Sequence, residues 1–257
     1  MSHSMLYKNK MTAIKVCGGG MYFWWELGML DALQIENAEL YTISCGALAG
    51  AFHLCRISVD ELILKTRAFV LSHGISSFYK LYPLLRRWLE CILPHDAHLR
   101  CERLNICVLH LPSMCTHIQR RFRSRSTLID ALVSATSIPI HPIFLSHIRQ
   151  FGVMDHVTNT ISIPCNIIVD PRSSRRFRAL TMLTMISEGT ARELYDTGRE
   201  DAHRPITGDA DVHLNIRAPF PWITQLTCMT GGAVATVLLW RLSSFVFSIY
   251  LGWHEVL

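Results

Sequence analysis

This chain of 257 residues has no Pro-, Gly- or Ser-rich stretch that would separate two domains and no internal repeat. One domain of α/β size is therefore the first expectation. Charge is sparse, at 18% of residues against 50% hydrophobic, and the mean hydropathy is +0.24. Together these exclude a disordered chain. The nine cysteines form no Cys-x-x-Cys pair and keep no regular spacing, which argues against a disulfide framework. Residues 1–10 lack the apolar core of a secretory signal, so an intracellular, reducing location is expected. With 25 Lys+Arg against 20 Asp+Glu the net charge is +5. That balance suits an anionic membrane face as well as nucleic acid and selects neither.

The longest uncharged run lies at the C-terminus. From Ala218 to Trp240 there are 23 residues without a charge; Arg241 interrupts, and twelve more run from Leu242 to Trp253. About 20 apolar residues cross a bilayer core, and Trp222, Trp240, Tyr250 and Trp253 suit interfacial depths. An arginine inside one long span would be costly. Residues 218–253 therefore read as a span ending near Trp240 or a helix in the interface plane. The other reading is a terminal helix across the globular domain with Arg241 reaching water.

Thr12 to Val16 favours a strand and stops at Cys17-Gly18-Gly19-Gly20; the apolar stretch Met21 to Leu33 follows, with Phe23, Leu27, Leu30 and Leu33 at helical spacing. Leu40 to Ile43 is a second short strand that runs straight into Ser44-Cys45-Gly46-Ala47-Leu48. Val59–Ser72 and Leu81–Leu93 read as helices, Leu104–Leu111 as a buried strand, and Thr127–Thr136 as a helix ended by Ser137-Ile138-Pro139. Gly152–Val157 has the form of a strand ending in an acidic turn, Met182–Leu194 has helical character, and 196–211 is polar loop. Strands alternating with helices imply a largely parallel sheet.

A serine between a strand and a small-residue helix start is how hydrolases expose a nucleophile. Ser44 fits, with Gly46 as the second glycine of a G-x-S-x-G turn, although Thr42 holds the first glycine's place. Consecutive glycines after a strand leave backbone amides uncovered for an oxyanion or a phosphate. Neither a P-loop Lys-Ser/Thr pair nor G-x-G-x-x-G spacing follows Gly18–Gly20, which disfavours a nucleotide. A tight turn that needs glycine for steric reasons is the plainer alternative.

Three blocks in order resemble the patatin-like phospholipases, lipid acyl hydrolases with a serine–aspartate dyad. Gly18-Gly19-Gly20 with Leu27-Gly28-Met29-Leu30-Asp31-Ala32-Leu33 resembles their glycine-rich loop and helix; Ser44-Cys45-Gly46-Ala47-Leu48 resembles their nucleophile elbow. Ala131 to Pro139, Phe144, Met154-Asp155 and Asn159 resemble the segment carrying their aspartate. The resemblance covers residues 12–170 most strongly and implies an acyl hydrolase domain over 12–215, with 218–253 as a possible membrane anchor. It implies a three-layer α/β/α fold with a central, largely parallel sheet. Ser44 would be nucleophile, Asp155 base, and the Gly18, Gly19 and Gly20 amides the oxyanion hole. It further implies a phospholipid or acylglycerol substrate met at a membrane surface, no cofactor or metal, no nucleic acid and no obligate protein partner. Departures from the family pattern, Thr42, Tyr22, Phe23, His156 and Val157, carry the alternative: a membrane-associated interaction protein that keeps the fold without hydrolysis.

The remaining candidates read as ordinary surface or core. His156 follows Asp155 directly and would face the opposite side of a strand; His53 and His141 read as satisfied histidines. His95, His98 and Cys101 sit at i, i+3 and i+6, but Pro94 and charged neighbours favour a solvated connection over a metal site. Two identical tetrads, Arg120-Arg121-Phe122-Arg123 and Arg175-Arg176-Phe177-Arg178, are solvated loops or membrane-surface patches whose phenylalanines would enter the interface.

Overall fold

In Ala-Ile-Lys-Val, Ile14 and Val16 are buried while Ala13 and Lys15 are half-exposed, the two-residue period of a strand with one face on the core, β1 (Ala13–Val16). The computed structural model describes residues 12–33, 37–76, 78–110, 115–137, 150–152, 165, 167–174, 177–178, 181 and 184–203, all within one unit. After β1 come α1 (Phe23–Leu33), β2 (Glu39–Ile43), α2 (Gly46–Leu54), α3 (Val59–Ser72), α4 (Phe78–Leu81), α5 (Leu85–Ile92) and α6 (Ala97–Arg100). They are followed by β3 (Leu104–His110), β4 (Cys115–Gln119), α7 (Arg125–Thr136), β5 (Gln150–Gly152), β6 (Ile167–Val169) and α8 (Glu188–Ala202).

The described strands form one mixed sheet in the order β4-β3-β2-β1-β6, with β5 also paired to β3. The inner pairs β3–β2, β2–β1 and β1–β6 are parallel, whereas β4 and β5 run antiparallel to β3. Val16 lies opposite Thr42, so β1 and β2 release their following loops side by side at one edge of the sheet. Ligands of open parallel sheets gather at this carboxyl edge.

Helix α1 departs from the one-faced pattern expected of it, because every residue from Phe23 to Leu30 is buried. Its second partner is α8. A Cβ on Gly28 would stand 2.0 Å from the Tyr195 carbonyl oxygen, and one on Gly198 would stand 2.1 Å from that of Trp25. The two backbones touch through these glycines, and Gly28→Ala would cost about 1–3 kcal/mol by forcing the helices apart. The hydrophobic packing that the contact permits repays the entropy of two helical glycines.

Helix α8 starts later and ends later than its sequence promised. Ser187 accepts a hydrogen bond from the Thr190 amide as N-cap, and the helix runs through 196–202, where a polar loop was expected. Glu193, Asp196 and Arg199 lie on its exposed side while Ala191, Leu194 and Tyr195 are buried. Tertiary packing of one apolar face outweighed the low local hydropathy. Helix α7 is fixed by a reciprocal Ser124–Thr127 capping box, and Arg125 donates to the α5 carbonyls of Glu90 and, at 2.8 Å, the neighbouring Leu93. Among the described residues no helix is long and apolar enough to cross a membrane; residues 218–253 lie outside them.

Candidate active site

Ser44 links the last residue of β2 to the helix α2, and its φ is +51°. A left-handed conformation costs a non-glycine residue about 1–2 kcal/mol, so the surroundings must impose it. Two close approaches do so. A Cβ on Gly18 would stand 2.6 Å from the Ser44 Cβ, and one on Gly46 would stand 2.8 Å from the Cys17 carbonyl oxygen and 2.9 Å from that of Val16. Only glycine at 18 and 46 lets the loop after β1 press against the turn after β2. This is the strained strand-to-helix turn that a nucleophile elbow requires.

Thr42 does not disturb the turn. Its side chain is fully buried, its hydroxyl donates to the Asn105 carbonyl oxygen of β3 at 3.2 Å, and Gly50 of α2 leaves its methyl group room. Tyr22 is likewise built into the core: the Arg178 amide donates to its hydroxyl at 2.6 Å, and its ring lies 5.1 Å from Phe177. Phe23 is buried within an aromatic cluster with Trp24, Phe52 and Trp88.

The three glycines differ from one another. The Gly18 and Gly19 amides make no hydrogen bond among the described residues, whereas the Gly20 amide meets the Cys45 thiol. Burial pushes that thiol up to about 12, the Glu26 charge adds to the rise, and hydrogen bonds with Ser44 and the Gly20 amide oppose it. A thiol held protonated is not a nucleophile, which leaves the Ser44 hydroxyl as the candidate of this turn. Glu26 itself has no solvent exposure, and its Oε1 lies 3.1 Å from where a Cβ on Gly19 would stand. The buried carboxylate thus sits behind the glycine loop. Sequence reading missed it, although Glu26 is the one charge between Cys17 and Leu30.

Asp155, His156, Val157, His141, Asn159 and Phe144 lie outside the described residues. His53 is described and is engaged elsewhere: its Nδ1 lies 2.6 Å from Asp31 Oδ1, while the Tyr195 hydroxyl donates to Asp31 Oδ2 at 2.9 Å. Nine residues of helix set His53 about 13 Å from Ser44, so this pair does not serve the serine. Cys101 turns to Cys55, with the two sulfurs 3.9 Å apart, rather than joining His95 and His98.

A cavity of about 580 Å³ adjoins the elbow. Gly20, Cys45 and Thr136 bring it beside the turn, and Phe23, Trp24, Leu48 and Trp88 give it apolar walls. The first arginine tetrad is not near it. Gln119 and Thr42 both pair with Ile106, and β4 runs opposite to β2, so Arg120–Arg123 lead away from Ser44. The 12 residues of α7 then return to Thr136, about 18 Å along the helix. Phe122 and Phe177 are half-buried and pack on the core rather than standing free for a membrane interface. No family model and no curated protein matches the chain.

Proposed function

We propose that the chain is a lipid acyl hydrolase of patatin-like, three-layer α/β/α design that cleaves carboxylic esters of phospholipids or acylglycerols through Ser44. The observation that carries this reading is the strained Ser44 turn, pressed by Gly18, whose next residue Cys45 stands on the wall of an apolar cavity. Strain kept at a polar side chain next to a cavity is a mark of function. Ser44 Oγ attacks the ester carbonyl, the base takes its proton, and the tetrahedral oxyanion is met by the Gly18 and Gly19 amides, which are buried and make no hydrogen bond among the described residues. Collapse of that intermediate expels the alcohol, to which the base returns the proton; water then releases the acid.

Asp155 is the proposed base. Strand β4 covers one edge of β3 along Ile106–His110, so β5 uses the other edge, which β2 occupies as far as Cys107. Gly152 pairs with Val108, one residue beyond the level of Ile43. Asp155 follows Gly152 by three positions, a reach of about 10 Å, which supports the pairing with Ser44. The absorption of Thr42, Tyr22 and Phe23 into the packing supports hydrolysis over the inactive alternative. The C-terminal segment 218–253 and the net charge of +5 suit a membrane-associated enzyme.

Labelling with a fluorophosphonate probe, read by intact mass in detergent, tests the proposal. One adduct is expected on the full chain, none on Ser44→Ala, and slow labelling on Asp155→Asn. Slow labelling on Glu26→Gln with normal labelling on Asp155→Asn would move the base to Glu26. No adduct on the folded chain would overturn hydrolysis and leave the membrane-associated interaction protein.

A further inference from the structure

The cavity beside Ser44 also has an outer end. Its deep walls, Phe23, Trp24, Leu48 and Trp88, are buried, whereas Arg67 and Leu71 of α3 and Glu188 of α8 are exposed and form a rim. Two hydroxyls that reach the walls are already engaged. Thr66 accepts from the Trp88 indole at 3.2 Å, and Thr136 donates to the Leu132 carbonyl oxygen at 2.9 Å. Of the side-chain N–H and O–H groups on the buried walls, the Trp24 indole N–H is left without a partner among the described residues. What enters past the rim is therefore mainly hydrocarbon, since most polar groups there would give up their water without repayment.

At the rim the chemistry changes. Arg67 Nε lies 3.3 Å from Glu188 Oε1, with both side chains more than half exposed, at 57% and 51%. Glu188 is the one ion-pair partner of Arg67 among the described residues. A half-exposed guanidinium at the mouth of an apolar cavity matches a carboxylate or phosphate head. An exposed ion pair of this kind contributes little and opens readily. Beside it, Leu71 is 70% exposed, so apolar surface continues from the cavity to the outside.

We propose that the α3–α8 cavity is a binding site for a single-chain amphiphile with an acidic head, its chain among the aromatic walls and its acid on Arg67. Binding does not require turnover at Ser44, so the site stands or falls apart from the hydrolase reading. The acid can be the carboxylate of a free fatty acid or the phosphate of a lysophospholipid.

The test uses the full chain carrying Ser44→Ala and 9,10-dibromostearic acid, whose bromines quench tryptophan on contact. Saturable quenching is expected, reduced by Trp24→Phe and by Trp88→Phe and reversed by competing oleate. Arg67→Gln should weaken acid binding roughly tenfold and leave the dibromostearate methyl ester unchanged, while Glu188→Gln should tighten the acid. Competition by lysophosphatidic acid better than by oleate assigns the head to phosphate, and the reverse assigns it to carboxylate. Both substitutions at the rim lie on exposed side chains, which keeps folding out of the comparison. Absence of saturable quenching, or equal weakening of acid and ester in Arg67→Gln, would overturn the proposal.

Discussion

The two ends of helix α2 hold opposite kinds of polar chemistry. At its start Ser44 is held at a φ of +51°, beside a buried thiol and a cavity. At its end His53, Asp31 and Tyr195 close a network at 2.6 and 2.9 Å. By residue type the far end looks the more catalytic, with a histidine on a carboxylate. Its groups have spent their bonding on one another, tying α1, α2 and α8 together. The near end has a strained serine and unspent glycine amides. Readiness to react is thus a matter of strain and open valence more than of residue type.

The largest effect that would break this comparison is on turnover. In a lipid-ester assay Ser44→Ala should lose at least a thousandfold in kcat, while His53→Ala should stay within about threefold of the parent. Comparable losses in both would mean that the two ends act together. For stability the ends should respond with opposite signs. Asp31→Ala strands the Tyr195 hydroxyl and the His53 ring, at a cost of about 1–3 kcal/mol by denaturant titration. Ser44→Gly should instead raise stability by about 1 kcal/mol, since glycine accepts the left-handed turn without strain. A loss in Ser44→Gly would show that the turn is not strained.

A smaller effect comes from pH. Burial and the neighbouring Asp31 raise Tyr195 to about 12, against an ordinary value of about 10. Folded protein keeps this proton where unfolded protein has lost it, so the contribution is complete below pH 10. It is lost as pH rises from about 10 to about 12. Tyr195→Phe should flatten that part of the stability curve. The smallest effect is a lack of reaction: with its thiol pushed up to about 12, Cys45 should resist iodoacetamide at pH 8 while exposed Cys91 is modified, as peptide mapping would show.

Much of the fold could be read from local pattern. β1, α3 and β3 fall within a residue or so of their expected bounds, because strand alternation and helical spacing are written in a few consecutive residues. Gly18, Ser44 and Gly46 were singled out as a turn for the same reason. What lay beyond local reading depends on partners distant in sequence. Glu26 behind the glycine loop, Arg67 facing Glu188 and the meeting of Gly28 with Gly198 each join separate elements.

The order of residues alone determined a parallel α/β core and placed a serine between a strand and a small-residue helix, since both follow from short-range sterics and hydrophobic period. Tertiary structure decided the rest. It absorbed Thr42 and Tyr22, withdrew His53 from the serine by the length of α2, and turned Phe122 and Phe177 inward. It also enclosed an apolar cavity between α3 and α8. Burial and strain are properties of surfaces brought together by folding, and no stretch of sequence holds both sides of such a contact.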